Sequence, residues 1–177
     1  MSSGLITVSS LPRMSREKLA GLILASQQSR GSSAQPPSTP GTDPDKPNDA
    51  DTTAAPTPTP SLTIIDVRDD DHVGGHIRSS RHVPSTTLSY RLPELVRTLA
   101  DQDIVVFHCS LSQQRGPGAG LGYLREKERL KPTAGKESTA GKEQEVYVLD
   151  GGFTKWQEKY GPDERLTEAW ARDIWEG

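Results

Sequence analysis

One cysteine lies between a predicted strand and a predicted helix, at the beginning of a short polar loop. The apolar run at residues 104–107 is typical of a buried strand, and His108 and Cys109 follow it directly. The loop ends on Arg115, and the Gly-Pro-Gly segment after it is typical of the beginning of a helix. The sequence therefore predicts a strand–loop–helix unit that holds a thiol and a guanidinium near the same end of the strand.

This unit suits the binding of an oxyanion. Backbone N–H groups of a curled loop form a concave nest, and the N-terminus of the following helix adds partial positive charge. The same field favours the thiolate, which is the nucleophilic form of cysteine. We therefore predict that Cys109 is a catalytic nucleophile and that Arg115 makes bidentate contacts to the anion. The substrate-binding amides are expected to be those of the residues between them: Ser110, Leu111, Ser112, Gln113 and Gln114.

The alternative for Cys109 is a buried, inert thiol, because free cysteine often packs as a small hydrophobe. The Cys-x5-Arg spacing in a strand-to-helix context favours the functional interpretation. We expect His108 to pack beneath the loop and support it rather than to react. Asp66 and Arg68 follow another apolar run, where a charged side chain needs a partner, so we expect them to give structural support.

Strand-like runs alternate with segments of helical periodicity, which is the pattern of an α/β domain with a largely parallel sheet. The predicted strands lie at residues 5–8, 62–67, 82–83, 104–107 and 146–149. The predicted helices lie at residues 15–28, at 117–130, at about 153–160 and at about 164–175. A further helix is predicted to have Pro93 in its first turn. We expect a central, mostly parallel sheet with helices on both sides.

Two polar segments interrupt the alternation. Residues 31–60 are rich in Pro, Ser, Thr and Asp and nearly free of large apolar side chains, so they cannot offset the entropy of ordering. Residues 132–145 repeat the sequence Thr-Ala-Gly-Lys-Glu and lack hydrophobic periodicity. We expect residues 1–177 to form a single domain with disordered insertions at 31–60 and 132–145. Loop growth on the surface is favoured over a dedicated function, with phosphorylation of Ser/Thr-Pro sites as the alternative.

Composition narrows the classes of partner and compartment. The formal net charge of −3 gives no broad attraction to nucleic acids or anionic membranes, so we expect neither as a partner. A single cysteine excludes an intramolecular disulfide, and no stretch resembles a signal peptide or a membrane span. We therefore expect a reducing compartment, the cytoplasm or the nucleus.

Three motifs resemble the rhodanese-fold family. Residues 108–117, His-Cys-Ser-Leu-Ser-Gln-Gln-Arg-Gly-Pro, resemble the active-site loop shared by Cdc25 phosphatases and Acr2-type arsenate reductases. Residues 65–77 with 82–84 resemble the amino-terminal rhodanese signature, and residues 148–156 resemble the carboxy-terminal one. The resemblance spans residues 5–28 and 61–161, and the small stand-alone fungal and plant members are the most similar.

The resemblance implies a rhodanese-like domain and a Cys-based phosphatase of the protein tyrosine or dual-specificity type. Such a hydrolase acts on a phosphorylated substrate through a cysteinyl-phosphate intermediate. Sulfurtransferases of this fold have one residue fewer in the loop, so a thiosulfate sulfurtransferase is less favoured. The main alternative is an arsenate reductase that uses glutathione as co-substrate together with a glutaredoxin. A non-catalytic module that binds oxyanions or phosphopeptides is a further alternative, and no metal or organic cofactor is implied.

The loop departs from the Cdc25 pattern in one respect. Cdc25 enzymes carry acidic residues in the loop where this chain has Ser110 and Gln114, which argues against a cell-cycle role and leaves no loop carboxylate as general acid. Asp69, Asp70 and Asp71 could supply an acid, but a solvated turn is favoured for them, so no general acid is assigned. The sequence indicates neither the physiological substrate nor the oligomeric state.

Overall fold

A parallel sheet forms the centre of the protein. The computed structural model describes residues 6–31, 58–131 and 143–177. The sheet strands there are β1 (Arg13–Met14), β2 (Leu62–Asp66), β4 (Arg81–His82), β5 (Ile104–His108) and β6 (Glu145–Leu149). They are all parallel and lie in the order β1-β6-β5-β2-β4. Two short antiparallel strands, β3 (His76–Ile77) and β7 (Thr167–Glu168), pair beside this sheet.

Helices cover both faces of the sheet, as predicted. They are α1 (Arg16–Gly31), α2 (Ser85–Thr98), α3 (Arg115–Arg129), α4 (Gly152–Tyr160) and the short α5 (Arg172–Trp175). Because side chains alternate along a strand, Ile64 packs with the α1 and α4 side, whereas Ile65 packs with the α2 and α3 side. Among the described residues, no helix combines the length and the apolarity needed to cross a membrane.

The predicted strand at residues 5–8 is wrong where the structure describes it. Val8–Ser10 forms a 3-10 turn, which the Thr7 amide and carbonyl stabilise through hydrogen bonds with the Ser10 hydroxyl. The edge strand is β1 instead, which pairs with β6. The hydrogen bonds of the Ser10 hydroxyl to the Thr7 backbone therefore outweigh the apolar run before them.

The predictions for Pro93 and for residues 164–175 are also wrong. Pro93 lies inside α2 and not in its first turn, because the helix begins earlier, at Ser85. Burial of Leu88 and Leu95 on the α2 face that meets α3 offsets the hydrogen bond that proline cannot make.

In the predicted helix at 164–175 only Arg172–Trp175 is helical, and Thr167 belongs to β7. The Thr167 hydroxyl is bonded to the Trp156 indole and to the Tyr160 carbonyl, which holds this segment extended.

The predicted insertions at 31–60 and 132–145 lie mostly outside the described residues. Helix α1 includes residue 31, so the first predicted insertion starts one residue too early. Strand β6 begins at Glu145, so the second predicted insertion ends one residue too late. The predictions of disorder and of a single domain stay predictions.

Candidate active site

The loop of residues 109–115 lies at the carboxyl end of β5, a strand with a neighbour on each side. Ligand sites of parallel sheets lie at this edge, beyond the carboxyl ends of the strands. The loop lines a cavity of about 350 Å³, and its lining comprises Cys109, Ser110, Leu111, Gln113, Gln114 and Arg115. Of the predicted binding residues, Ser112 alone is absent from this lining.

Ser112 instead turns inward and holds the cysteine. Its backbone N–H donates to the Cys109 Sγ at 3.2 Å, and its hydroxyl accepts from the Cys109 backbone N–H at 3.5 Å. Ser112 has a φ of +52° and is fully buried, which curls the loop around the sulfur. An amide donor at this position stabilises negative charge on the sulfur.

The N-terminus of α4 fixes the other side of the loop. The Phe153 amide donates to the Cys109 carbonyl and the Thr154 amide to the Ser110 carbonyl, both at 2.9 Å. Gly152 permits this approach, because it has a φ of +60° and an added Cβ would lie 2.5 Å from both carbonyl oxygens. Gly152 of the carboxy-terminal motif thus helps to position the loop that carries Cys109.

The Arg115 guanidinium is paired with an aspartate. Its Nη1 and Nη2 donate to the two carboxylate oxygens of Asp71 at 2.7 and 2.6 Å, and Nη1 also donates to Asp69 at 3.2 Å. The Ser110 hydroxyl donates to the same Asp71 carboxylate. These hydrogen bonds, that from Arg115 above all, hold the pKa of Asp71 well below its usual range, and they raise the pKa of Arg115.

The interpretation of residues 69–71 as a solvated turn is therefore wrong for two of the three aspartates. Asp69 also accepts from the Thr86 amide and the Ser85 hydroxyl at the beginning of α2, while Asp70 is exposed. The sequence did contain a signal: these residues follow β2, the neighbour of β5, so their side chains reach the same edge of the sheet.

A buried ion pair lies beneath the loop. Asp66 and Arg68 are almost fully buried, and the Arg68 guanidinium donates to both Asp66 oxygens at 2.6 to 3.0 Å. Arg68 also donates to the Gly75 carbonyl at 2.9 Å and stacks over the Phe153 ring. Burial, the largest single effect, opposes ionisation of Asp66, but the nearby cationic and hydrogen-bonding groups outweigh it and lower its pKa.

His108 is fully buried between this ion pair and the cysteine. Its Nδ1 lies 3.2 Å from the Cys109 carbonyl, which can only accept, so Nδ1 carries the proton. Its Nε2 has no hydrogen-bond partner among the described residues and lies 3.8 Å from Asp66 Oδ2. Burial lowers the pKa of His108, so the ring is neutral at neutral pH. The structure places His108 under the loop and out of the cavity.

No other described region offers a comparable set of groups. A cavity of about 300 Å³ between α1 and the segment before β2 is lined by neither a cysteine nor a histidine. Within residues 6–31, 58–131 and 143–177, no cluster of three or more His, Cys, Asp or Glu side chains is arranged to hold a metal ion.

Comparisons with known proteins point to one family. Residues 49–159 match the model of the rhodanese-like domain. The CDC25-like phosphatase YCH1 of Saccharomyces cerevisiae is 34% identical over 123 residues, which cover 63% of this chain and 76% of that protein. Arsenate reductase 2.1 of Oryza sativa subsp. japonica is 37% identical over 111 residues, which cover 62% of this chain and 65% of that protein.

A solved structure agrees with these matches. The structure of Ygr203w, described as a yeast protein tyrosine phosphatase of the rhodanese family, superposes with a TM-score of 0.61. It is 26% identical, and the match covers 96% of this chain and 99% of that one. The chain is thus similar both to proteins named as phosphatases and to one named as an arsenate reductase.

Proposed function

The chain belongs to the rhodanese-like domain family, and from this premise we propose that it is a cysteine-dependent phosphatase acting on phosphomonoesters. One observation carries the proposal: Cys109 lines a cavity together with Arg115, and its sulfur accepts an amide N–H. A nucleophile, an amide donor and a guanidinium are groups that can carry out phosphoryl transfer.

The reaction proceeds in two displacements at phosphorus. The Cys109 thiolate attacks in line, forming the S–P bond as the bond to the ester oxygen breaks, and the leaving oxygen takes up a proton from solvent water. Water then attacks the cysteinyl-phosphate, breaks the S–P bond and releases inorganic phosphate. The amides of the loop and the Arg115 guanidinium stabilise charge on the equatorial oxygens in both steps.

The first test is steady-state hydrolysis of an aryl phosphate by the purified full chain. Cys109→Ser abolishes turnover, because the hydroxyl is a far weaker nucleophile than the thiolate. Arg115→Lys is severely impaired, because a point charge does not reproduce the bidentate fork. Arg125→Lys is the matched control, since Arg125 is exposed on the same helix and away from the cavity. Wild-type turnover in Cys109→Ser would refute the mechanism.

Loop length separates this chemistry from sulfur transfer. Aryl phosphate, thiosulfate with cyanide, and arsenate with glutathione are assayed side by side at equal enzyme concentration. We expect turnover of the phosphate ester, because the Cys-x5-Arg loop has the length that resembles the phosphatase and arsenate-reductase loops. Affinity for a phosphopeptide without any burst of product would indicate a binding module instead.

Arsenate reduction is the second candidate, favoured by the similarity to Arsenate reductase 2.1. Attack by Cys109 on arsenate would release water and leave a covalent arsenic(V) adduct. Reduction to arsenic(III) takes two electrons, which two thiols supply as they form a disulfide. Because the chain has a single cysteine, the second thiol must come from outside, and we propose glutathione with a glutaredoxin.

Arsenite production at fixed arsenate tests this candidate, with glutathione and glutaredoxin added or withheld. We expect strict dependence on added thiol and complete loss in Cys109→Ser. Multiple turnovers without any thiol would contradict the scheme. A glutathione-dependent reaction also fits the proposal that the protein works in a reducing compartment, the cytoplasm or the nucleus.

A further inference from the structure

The oxyanion-binding side chain of the site already holds an anion that belongs to the protein. Two parallel hydrogen bonds join Arg115 Nη1 and Nη2 to Asp71 Oδ1 and Oδ2, which is the geometry in which arginine binds a carboxylate or a phosphate. One edge of a guanidinium cannot bind two anions in this way at the same time. The Ser110 hydroxyl, at the rim of the same cavity, also donates to Asp71.

The two other aspartates of the turn are placed differently. Asp69 accepts a single, longer hydrogen bond from Arg115 Nη1 at 3.2 Å and is anchored to the beginning of α2 by the Thr86 amide, and Asp70 is exposed to solvent. The Asp71 carboxylate accepts from the Asp69 amide at 3.0 Å, and its other hydrogen bonds come from the loop of residues 109–115. Its side chain keeps 38% exposure, so it can move into solvent when the loop binds another anion.

We infer that Asp71 is an internal competitor for Arg115, and that its displacement by the incoming oxyanion sets the affinity and selectivity of the site. The inference rests on the proposed function only in requiring that the loop binds a phosphate-like oxyanion. The loop itself contains no carboxylate, since Ser110 and Gln114 occupy the positions that are acidic in Cdc25 enzymes. Asp71, which follows the neighbouring strand β2, places a carboxylate against the loop instead. Weakly binding anions therefore do not displace Asp71 from Arg115, whereas anions that bind the guanidinium more strongly than the carboxylate does will displace it.

The size of the effect follows from the competition. The apparent affinity of a ligand equals its intrinsic affinity multiplied by the fraction of protein in which the site is free. Charge-assisted hydrogen bonds favour the paired state, and partial exposure keeps the preference at the low end of their range. A paired-to-free ratio of about ten weakens oxyanion binding about tenfold, so removing the competitor tightens binding by about that factor.

Equilibrium binding of inorganic phosphate to the full chain tests the inference by titration calorimetry, at fixed ionic strength. Asp71→Asn is expected to bind phosphate about tenfold more tightly than wild type. Asp70→Asn is the matched control: it removes the same charge from the adjacent position but no contact to Arg115, so it leaves the dissociation constant nearly unchanged. Asp71→Ala should repeat the gain, which guards against a local effect of the asparagine amide.

A double-mutant cycle shows whether the effect acts through the guanidinium. In an Arg115→Met background, Asp71→Asn should no longer tighten phosphate binding. Equal or weaker binding by Asp71→Asn, an equal gain in Asp70→Asn, or a gain that persists in Arg115→Met would each overturn the inference. Absence of phosphate binding by every variant would also overturn it.

Turnover separates this inference from the proposed function. If Asp71→Asn binds phosphate more tightly but neither it nor wild type hydrolyses an aryl phosphate, the phosphatase proposal fails and the competition stands. If wild type hydrolyses the ester while the two dissociation constants agree, the competition fails and the phosphatase proposal stands. With both correct, Asp71→Asn lowers KM.

Discussion

Replacement of Asp66 by asparagine should destabilise the protein strongly, because it leaves a buried guanidinium without a counter-charge. Asp66 is 0% exposed and Arg68 is 1% exposed. Arg68 makes three side-chain hydrogen bonds to the carboxylate, at 2.6, 2.9 and 3.0 Å, and its own backbone N–H adds a fourth at 3.1 Å. Asparagine keeps the shape of the side chain, but it removes the charge and replaces one accepting oxygen by an NH2 donor.

Breaking a buried ion pair by neutralising one partner costs about 3–5 kcal/mol. The free energy of unfolding of a natural domain is only about 5–15 kcal/mol, so this loss removes a large part of it. For a domain of this size about 2–4 °C of melting temperature corresponds to each kcal/mol, which predicts a fall of about 6–20 °C.

The chain contains a matched control for this measurement. Asp163 and Arg165 have the same spacing and nearly the same hydrogen bonds, with Arg165 N and Nε at 3.0 Å and Nη2 at 2.7 Å from the carboxylate. The Arg165 side chain is 69% exposed, so Asp163→Asn should leave the melting temperature nearly unchanged. Urea titration and thermal melting of both variants at neutral pH give the comparison.

The pH dependence supplies a second check on Asp66. Its folded-state pKa is lowered below the unfolded value of about 3.9, so its stabilisation is complete at neutral pH and is lost as the pH falls through the folded-state pKa. Wild type and Asp66→Asn should therefore converge in stability only in strong acid. A folded Asp66→Asn with wild-type stability at neutral pH, or an equal loss in Asp163→Asn, would refute the reasoning.

Three further predictions concern the loop, the histidine and the insertion. Gly152→Ala should lower the free energy of unfolding by at least about 2 kcal/mol and should lower kcat, because the added Cβ meets the Cys109 and Ser110 carbonyls. Gly118→Ala is the control and should not destabilise the protein, because its Cβ enters open space. Equal melting temperatures for the two variants would contradict this prediction. Burial lowers the pKa of His108, whereas the same histidine in the unfolded chain takes up a proton near pH 6.5. The unfolded state therefore binds more protons, and wild type should lose stability as the pH falls from about 7 to 5.5. The urea midpoint of His108→Gln should fall less over that range. Replacing residues 32–57 by a short Gly/Ser linker should change neither melting temperature nor turnover. The Ser29 and Thr59 hydroxyls lie 2.8 Å apart, so the two chain ends that the linker joins are already adjacent. A large loss of melting temperature or of turnover would show that the segment contributes to structure or function.

Elements with a strong local signal were predicted from the sequence, and those formed by tertiary pairing were not. The helix at residues 15–28 and the strands at 62–67, 104–107 and 146–149 have apolar periodicity or apolar runs, and the structure confirms them within a few residues. β1 and β7 are only two residues long and carry no such signal. They exist because a neighbouring strand offers free backbone groups, which is a property of the assembled sheet.

The same division applies to the site. Cys109 and Arg115 belong to one continuous loop between a strand and a helix, so their spacing alone predicts that both side chains face one anion. Asp71 lies 44 residues before Arg115 along the chain, and it reaches the guanidinium only because β2 and β5 are neighbours with their carboxyl ends at the same edge. That register also sets Asp66 opposite His108. The sequence by itself predicted the strand–loop–helix unit that holds Cys109 and Arg115, because that unit is local, while the order of strands in the sheet decided which charged groups meet there.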